Sequence, residues 1–135
     1  TYEAMMKGIE KIKPGNTFGD IGNAIQVYAE KKNYSIVRDF CGHGLGKVFH
    51  DHPSVLHFGK PGEGELLQEG MFFTVEPMIN IGGFKVKILD DGWTAVSSDR
   101  SLSAQFEHTV GVTNDGYEIF TLSEQKYSFP PYGQK

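Results

Sequence analysis

The sequence predicts an α+β domain, on three observations. Apolar residues recur at helical spacing in the opening segments, the remainder is rich in β-branched and aromatic residues, and turn pairs such as Asp91-Gly92 and Asp115-Gly116 separate the β-rich runs. Helices followed by hairpin-linked strands give two helices packed on an antiparallel sheet. In the first element Tyr2, Met5, Met6, Ile9 and Ile12 recur at three- and four-residue intervals, so the opening residues form an amphipathic helix that Pro14-Gly15 stops. Thr17 caps a second helix, with Asp20 near its positive end. Phe18, Ile21, Ala24, Ile25 and Tyr28 form the buried stripe of that helix, and Lys31-Lys32 close it. Asn33 turns the chain into a short strand over 34–37, after which Gly42, Gly44 and Gly46 break regular structure and place His43 on a loop. From Ser54 to Gly70, the Pro and Gly content with Glu63, Glu65 and Glu69 predicts an exposed connection, with a short strand near His57 and no part in function. Strands follow over 71–80, 85–89, 93–97, 104–113 and 117–122, and Phe129-Pro130-Pro131-Tyr132-Gly133 forms an extended tail.

At 135 residues the chain fits a single domain that can bury its own core. A hydrophobic fraction of 39% with 22% charged residues is ordinary globular usage, and no apolar run is long enough for a membrane span. The net charge of −4, without clustered Lys and Arg, argues against nucleic acid as a partner. One cysteine excludes an internal disulfide framework, and no basic and apolar leader opens the chain, so the cytoplasm is the expected compartment. The chain starts at Thr1, without an initiator methionine and already in helical periodicity, as expected of a fragment.

Three islands carry the chemistry: Cys41-Gly42-His43-Gly44-Leu45-Gly46 leading to His50, Thr74-Val75-Glu76-Pro77-Met78, and Ser103-Ala104-Gln105-Phe106-Glu107-His108-Thr109. They offer one imidazole and two carboxylates among glycines and apolar strand residues, where a bare carboxylate is costly unless a cation accepts it. Alternation puts Thr74 and Glu76 on one strand face and Gln105, Glu107 and Thr109 on another. Pro77 biases Glu76 toward extended backbone and removes a strand donor, so that carboxylate lies at a strand end. If both faces look into one cleft, His43, Glu76 and Glu107 can hold metal. The plain alternative is a pair of glutamates on a solvated sheet face. His50 can hydrogen-bond a substrate carbonyl, the alternative being a surface histidine beside His52. His52, His57 and His108 read as structural or exposed, and Cys41 as a small buried residue. Trp93 and Phe49 read as core residues or as walls of an apolar pocket.

With Phe49-His50 and Asp91-Gly92-Trp93-Thr94 added, these islands resemble, in order and spacing over essentially the whole chain, the type I methionine aminopeptidases. These are metalloenzymes that remove the initiator methionine from nascent proteins. The resemblance implies half of a pita-bread fold, with residues 1–135 as the C-terminal half of one catalytic domain and a two-metal site between the halves. It implies His43 and Glu76 as ligands of one metal, Glu107 as a carboxylate bridging both, Glu76 as catalytic assistant to the nucleophile, and His50 as catalytic and substrate-contacting. Phe49 and Trp93 would wall the methionine pocket. Two divalent ions are implied, and Co, Mn, Fe or Zn suits the donors. The implied partners are the N-terminal methionine of peptides and nascent proteins and the missing N-terminal half, with no nucleic acid or membrane, in a protein that is monomeric when complete.

The family also uses two aspartates with ten residues between them and another substrate histidine, all in the preceding half, and no aspartate pair here has that separation. The isolated chain is therefore expected to be inactive. Lys47 and Asp51 have no assigned role. The competing readings are a related pita-bread peptidase cleaving before proline and a pita-bread binding protein that has lost catalysis. The Cys-Gly-His and Asp-Gly-Trp contexts favour the methionine enzymes. Retention of all three candidate ligands speaks against lost catalysis, whereas the missing aspartates favour it if the chain is complete.

Overall fold

The computed structural model describes residues 1–124 and residue 130, so all but Pro130 of the expected extended tail lies outside the described residues. Helix α1 spans Tyr2–Ile9 and buries Ala4, Met5, Gly8 and Ile9. It ends short of Ile12, which is nevertheless buried because turn bonds from Lys11 to Gly8 and from Ile12 to Ile9 carry the chain inward. Helix α2 spans Phe18–Glu30 behind Thr17, which has extended backbone. A Cβ on Gly8 would lie 2.6 Å from Ile25 Cγ1, so glycine lets the two helices meet closely.

The α2 terminus is a reciprocal cap. Asp20 N–H donates to Thr17 Oγ1 at 3.4 Å, while Thr17 N–H donates to Asp20 Oδ2 at 2.7 Å. That backbone donor is the first reason the Asp20 carboxyl is held below its ordinary range. Thr17→Ala in the full-length protein is expected to cost about 1 kcal/mol of stability. The measurement is a denaturant midpoint at unchanged slope, and an unmoved midpoint would leave the cap to Asp20 alone.

The strands form three antiparallel sheets. β1 (Ser35–Ile36), β5 (Met78–Asn80) and β8 (Ser103–Gln105) make one, in the order β1-β5-β8. β2 (Gly42–Gly44), β3 (Asp51–Val55), β4 (Phe72–Val75), β9 (His108–Val112) and β10 (Tyr117–Ile119) make the second, in the order β10-β9-β4-β2-β3. β6 (Val86–Ile88) and β7 (Ala95–Ser97) pair as a hairpin. Gly92, at φ +69, and the Asp91 carboxylate, which accepts Trp93 N–H and Thr94 N–H, close the turn between them. Phe73, Val75, Val110 and Val112 meet Met5, Ile9, Ile21 and Ile25 of the helices in one core.

Two of the expected strands are interrupted. The 71–80 segment breaks after Val75 and resumes at Met78, and the 104–113 segment breaks after Gln105 and resumes at His108. The breaks lie opposite each other, since β4 and β9 end on the pair Val75–His108 while β5 and β8 begin on Met78–Gln105. Proline without an N–H cannot continue a ladder, so Pro77 favours the handover from one sheet to the next. Glu76 and Glu107 both stand in that gap.

Candidate metal centre

His43 lies on β2, not on the expected loop. Its glycine neighbours serve close approach: a Cβ on Gly42 would lie 2.3 Å from Thr74 O, and one on Gly44 would lie 2.0 Å from His52 O. The register slips between His43 and Gly44, where β2 pairs with β3. His43 is buried, and its backbone N–H donates to Thr74 Oγ1 at 3.0 Å. Thr74 in turn donates to Glu76 Oε1 at 2.7 Å, so one buried hydroxyl links the His43 backbone to the Glu76 carboxylate. The expected shared face of Thr74 and Glu76 is present.

His43 Nδ1 lies 2.9 Å from Gly44 O. A carbonyl only accepts, so Nδ1 carries a proton, and Nε2 is the ring nitrogen turned toward the carboxylates. Nε2 is 3.7 Å from Glu76 Oε1. Together with Glu107, these residues each offer one donor atom, and all three atoms lie within 4.8 Å of one another. The Glu76 carboxyl is pushed above its ordinary range, first by burial. Its bond from Thr74 opposes that shift, the Glu107 charge adds to it, and His43 and His50 oppose it more weakly. An imidazole nitrogen and two converging carboxylates, with Glu76 raised by burial and by the Glu107 charge, fit a divalent cation.

The His43 ring packs against His50, with centroids 4.4 Å apart, and against Phe49 at 5.3 Å. The structure thus brings His50 and Phe49 beside His43. Phe49 and Trp93 are 71% and 88% exposed, so neither lies in the core of the described residues. Cys41 is half-buried rather than buried. His52 is exposed and 2.7 Å from Glu65 Oε1, and His108 is half-buried with Nδ1 2.8 Å from Thr121 Oγ1, as structural or exposed histidines would be. Asp51 closes the loop after His43, its carboxylate accepting His52 N–H and lying against Gly46.

The segment 54–70 departs most from expectation. Leu67 is 1% exposed and His57 only 2%, so the segment is not simply an exposed connection. His57 Nε2 accepts the backbone N–H of Glu76 at 3.0 Å. Desolvation pushes the His57 pKa down to about 4, which keeps the ring neutral and Nε2 able to accept. The signal available in the sequence is the period of two joining buried Val55 to His57, obscured by the surrounding Gly, Pro and Glu. Gln105 completes the surroundings, its Nε2 donating to Glu76 O at 3.1 Å.

This frame places an imidazole and two carboxylates together at a sheet interruption, a donor set of the class that holds a divalent metal. The chain belongs to metallopeptidase family M24, whose model matches residues 1–114. Methionine aminopeptidase of Rickettsia prowazekii is 64% identical over 133 residues, covering 98% of this chain and 51% of that protein. The solved structure of the Rickettsia enzyme superposes with a TM-score of 0.89 at 65% identity, over 90% of this chain and 50% of that one. The Thermotoga maritima methionine aminopeptidase structure gives 0.87 at 42% identity, over 90% of this chain and 49% of that one. Prolidase from Pyrococcus furiosus, 24% identical with a TM-score of 0.63 over 90% of this chain and 30% of that one, shares the fold alone. The fold is half of the pita-bread fold, and the chain spans about half the length of the curated relatives it matches. Family and cluster together imply use of a divalent metal. Among the described residues no helix is long and apolar enough to cross a membrane.

Proposed function

We propose that residues 1–135 are the C-terminal half of a single catalytic domain that removes the N-terminal methionine from peptides and nascent proteins. The observation that carries this reading is the convergence of His43, Glu76 and Glu107 donor atoms within 4.8 Å, with His43 Nδ1 bonded to Gly44 O and Nε2 turned toward Glu76 Oε1. In this reading His43 and Glu76 would be ligands of one of two ions, Glu107 would be a ligand of both, and the preceding half would supply the remaining ligands. Cobalt, manganese, iron or zinc suits one nitrogen and several oxygens. Such ions supply Lewis-acid chemistry, polarising a peptide carbonyl and acidifying a water.

The chain's own residues do the rest. Glu76, held at Oε1 by Thr74, takes the proton of the attacking water. His50, packed on His43, hydrogen-bonds the scissile carbonyl as charge develops on it. Phe49 and Trp93 wall the methionine side chain, and their exposure fits residues that substrate and the other half cover. The complete protein works as a monomer in the cytoplasm.

His50→Ala in the full-length protein is expected to keep metal content and melting temperature while lowering turnover by roughly 10²-fold or more. Metal analysis beside kinetics on a methionyl peptide tests it, and unchanged turnover would take His50 out of the mechanism. Trp93→Ala is expected to weaken selection of methionine over smaller N-terminal residues by on the order of 1–3 kcal/mol. As a pocket wall, Trp93 takes no part in the core of this half, so its loss should leave the melting temperature of the variant unchanged. An equal loss of activity on every peptide would argue against the pocket wall.

A further inference from the structure

We propose that His57 is a positioning residue for the metal centre: its imidazole Nε2 accepts the Glu76 amide at the sheet interruption and so holds the Glu76 carboxylate toward His43 and Glu107. The inference rests on the reading of Glu76 as a metal ligand. Glu76 sits between two ladders, because β4 and β9 stop at Val75–His108 and β5 and β8 start at Met78–Gln105. Its backbone groups therefore have no strand partner, and side chains from elsewhere take both. Gln105 Nε2 donates to Glu76 O at 3.1 Å, and His57 Nε2 accepts from Glu76 N at 3.0 Å.

The carboxylate depends on that amide. An N–H without an acceptor turns toward water or another oxygen, and the Glu76 side chain, fixed to the same Cα, turns with it. His57 is fully buried just beyond β3, and β3 pairs with the strand that carries His43. Two links thus register Glu76 against His43: the Thr74 hydroxyl, which sets the side chain, and His57, which sets the backbone. A leucine of similar bulk fills the space without accepting, whereas a glutamine Oε1 reaches a similar point and does accept.

The test compares His57→Leu, His57→Gln and Glu76→Gln in the full-length protein. It reads Glu76 amide exchange in the metal-free form, Co2+ affinity by calorimetry and the visible absorption of bound Co2+. His57→Leu is expected to speed exchange of the Glu76 amide, weaken Co2+ binding by about 10–100-fold and alter the absorption, as loss of a group supporting a metal ligand does. His57→Gln is expected to restore all three. If His57→Leu keeps wild-type exchange and Co2+ binding, or if His57→Gln fails as badly as His57→Leu, the acceptor role is overturned. Should His57→Leu not fold, His57→Gln decides. Native exchange and Co2+ binding in it support the role, and loss of both at a native melting temperature overturns it. Glu76→Gln separates the two readings: retained Co2+ affinity and absorption there sink the metal-centre reading itself. A loss there that His57→Leu does not share sinks only the present inference.

Discussion

Glu107→Ala in the full-length protein is expected to lose bound metal and methionine release together, each by more than about 10²-fold, because a bridging carboxylate both neutralises charge and sets the spacing of two ions. Glu107 occupies the gap opposite Glu76, and its charge is one of the forces raising the Glu76 carboxyl. Removing it takes one negative charge from the ligand set and the one group of that set that would touch both cations. The fold should not suffer. Glu107 is exposed, and among the described residues it belongs to no salt bridge, so the metal-free variant should melt within about 0.5 kcal/mol of wild type. Metal content after dialysis, turnover and metal-free melting would be measured together. Full metal occupancy with retained turnover would remove Glu107 from the site, and a lower metal-free melting temperature would make it structural.

Residues 1–135 alone are expected to bind divalent metal weakly and to release no methionine, while the same residues joined to a preceding half do both. Three protein donors with two negative charges do not hold a pair of divalent ions as a complete ligand set does. The exposed surface points the same way. Strand β8 is an edge with every residue exposed, Leu102 beside it is 75% exposed, and Phe49 and Trp93 stand largely in solvent. Unpaired edges and apolar surface of this kind promote association, so the short chain should also self-associate. The comparison is methionine release at saturating metal, with sedimentation of both forms. Robust turnover by a monomeric short chain would overturn the half-site reading and require another set of ligands.

Local chemistry was legible in the residues themselves. The period of apolar residues and the Thr17 cap determine α2, and Asp91-Gly92 determines the β6–β7 turn, because neighbours within a few positions supply the interactions. The three islands were legible as well, since a histidine between glycines and two glutamates beside apolar strand residues need a reason to be there. What the tertiary structure decided is where the strands break and what fills the breaks. Pro77 hints at one interruption, but nothing local marks the interruption at Phe106-Glu107, which depends on the pairing of β4 with β9 and of β5 with β8. The glycines around His43 looked like a loop because glycine is permissive, whereas their cause is the approach of Thr74 and His52 backbone from other strands. His57 passed for part of a surface connection because its partner lies 19 residues away. Composition reports a residue's own polarity. Whether a polar group is buried depends on which distant backbone amide has lost its ladder, and only the packed chain brings the two together.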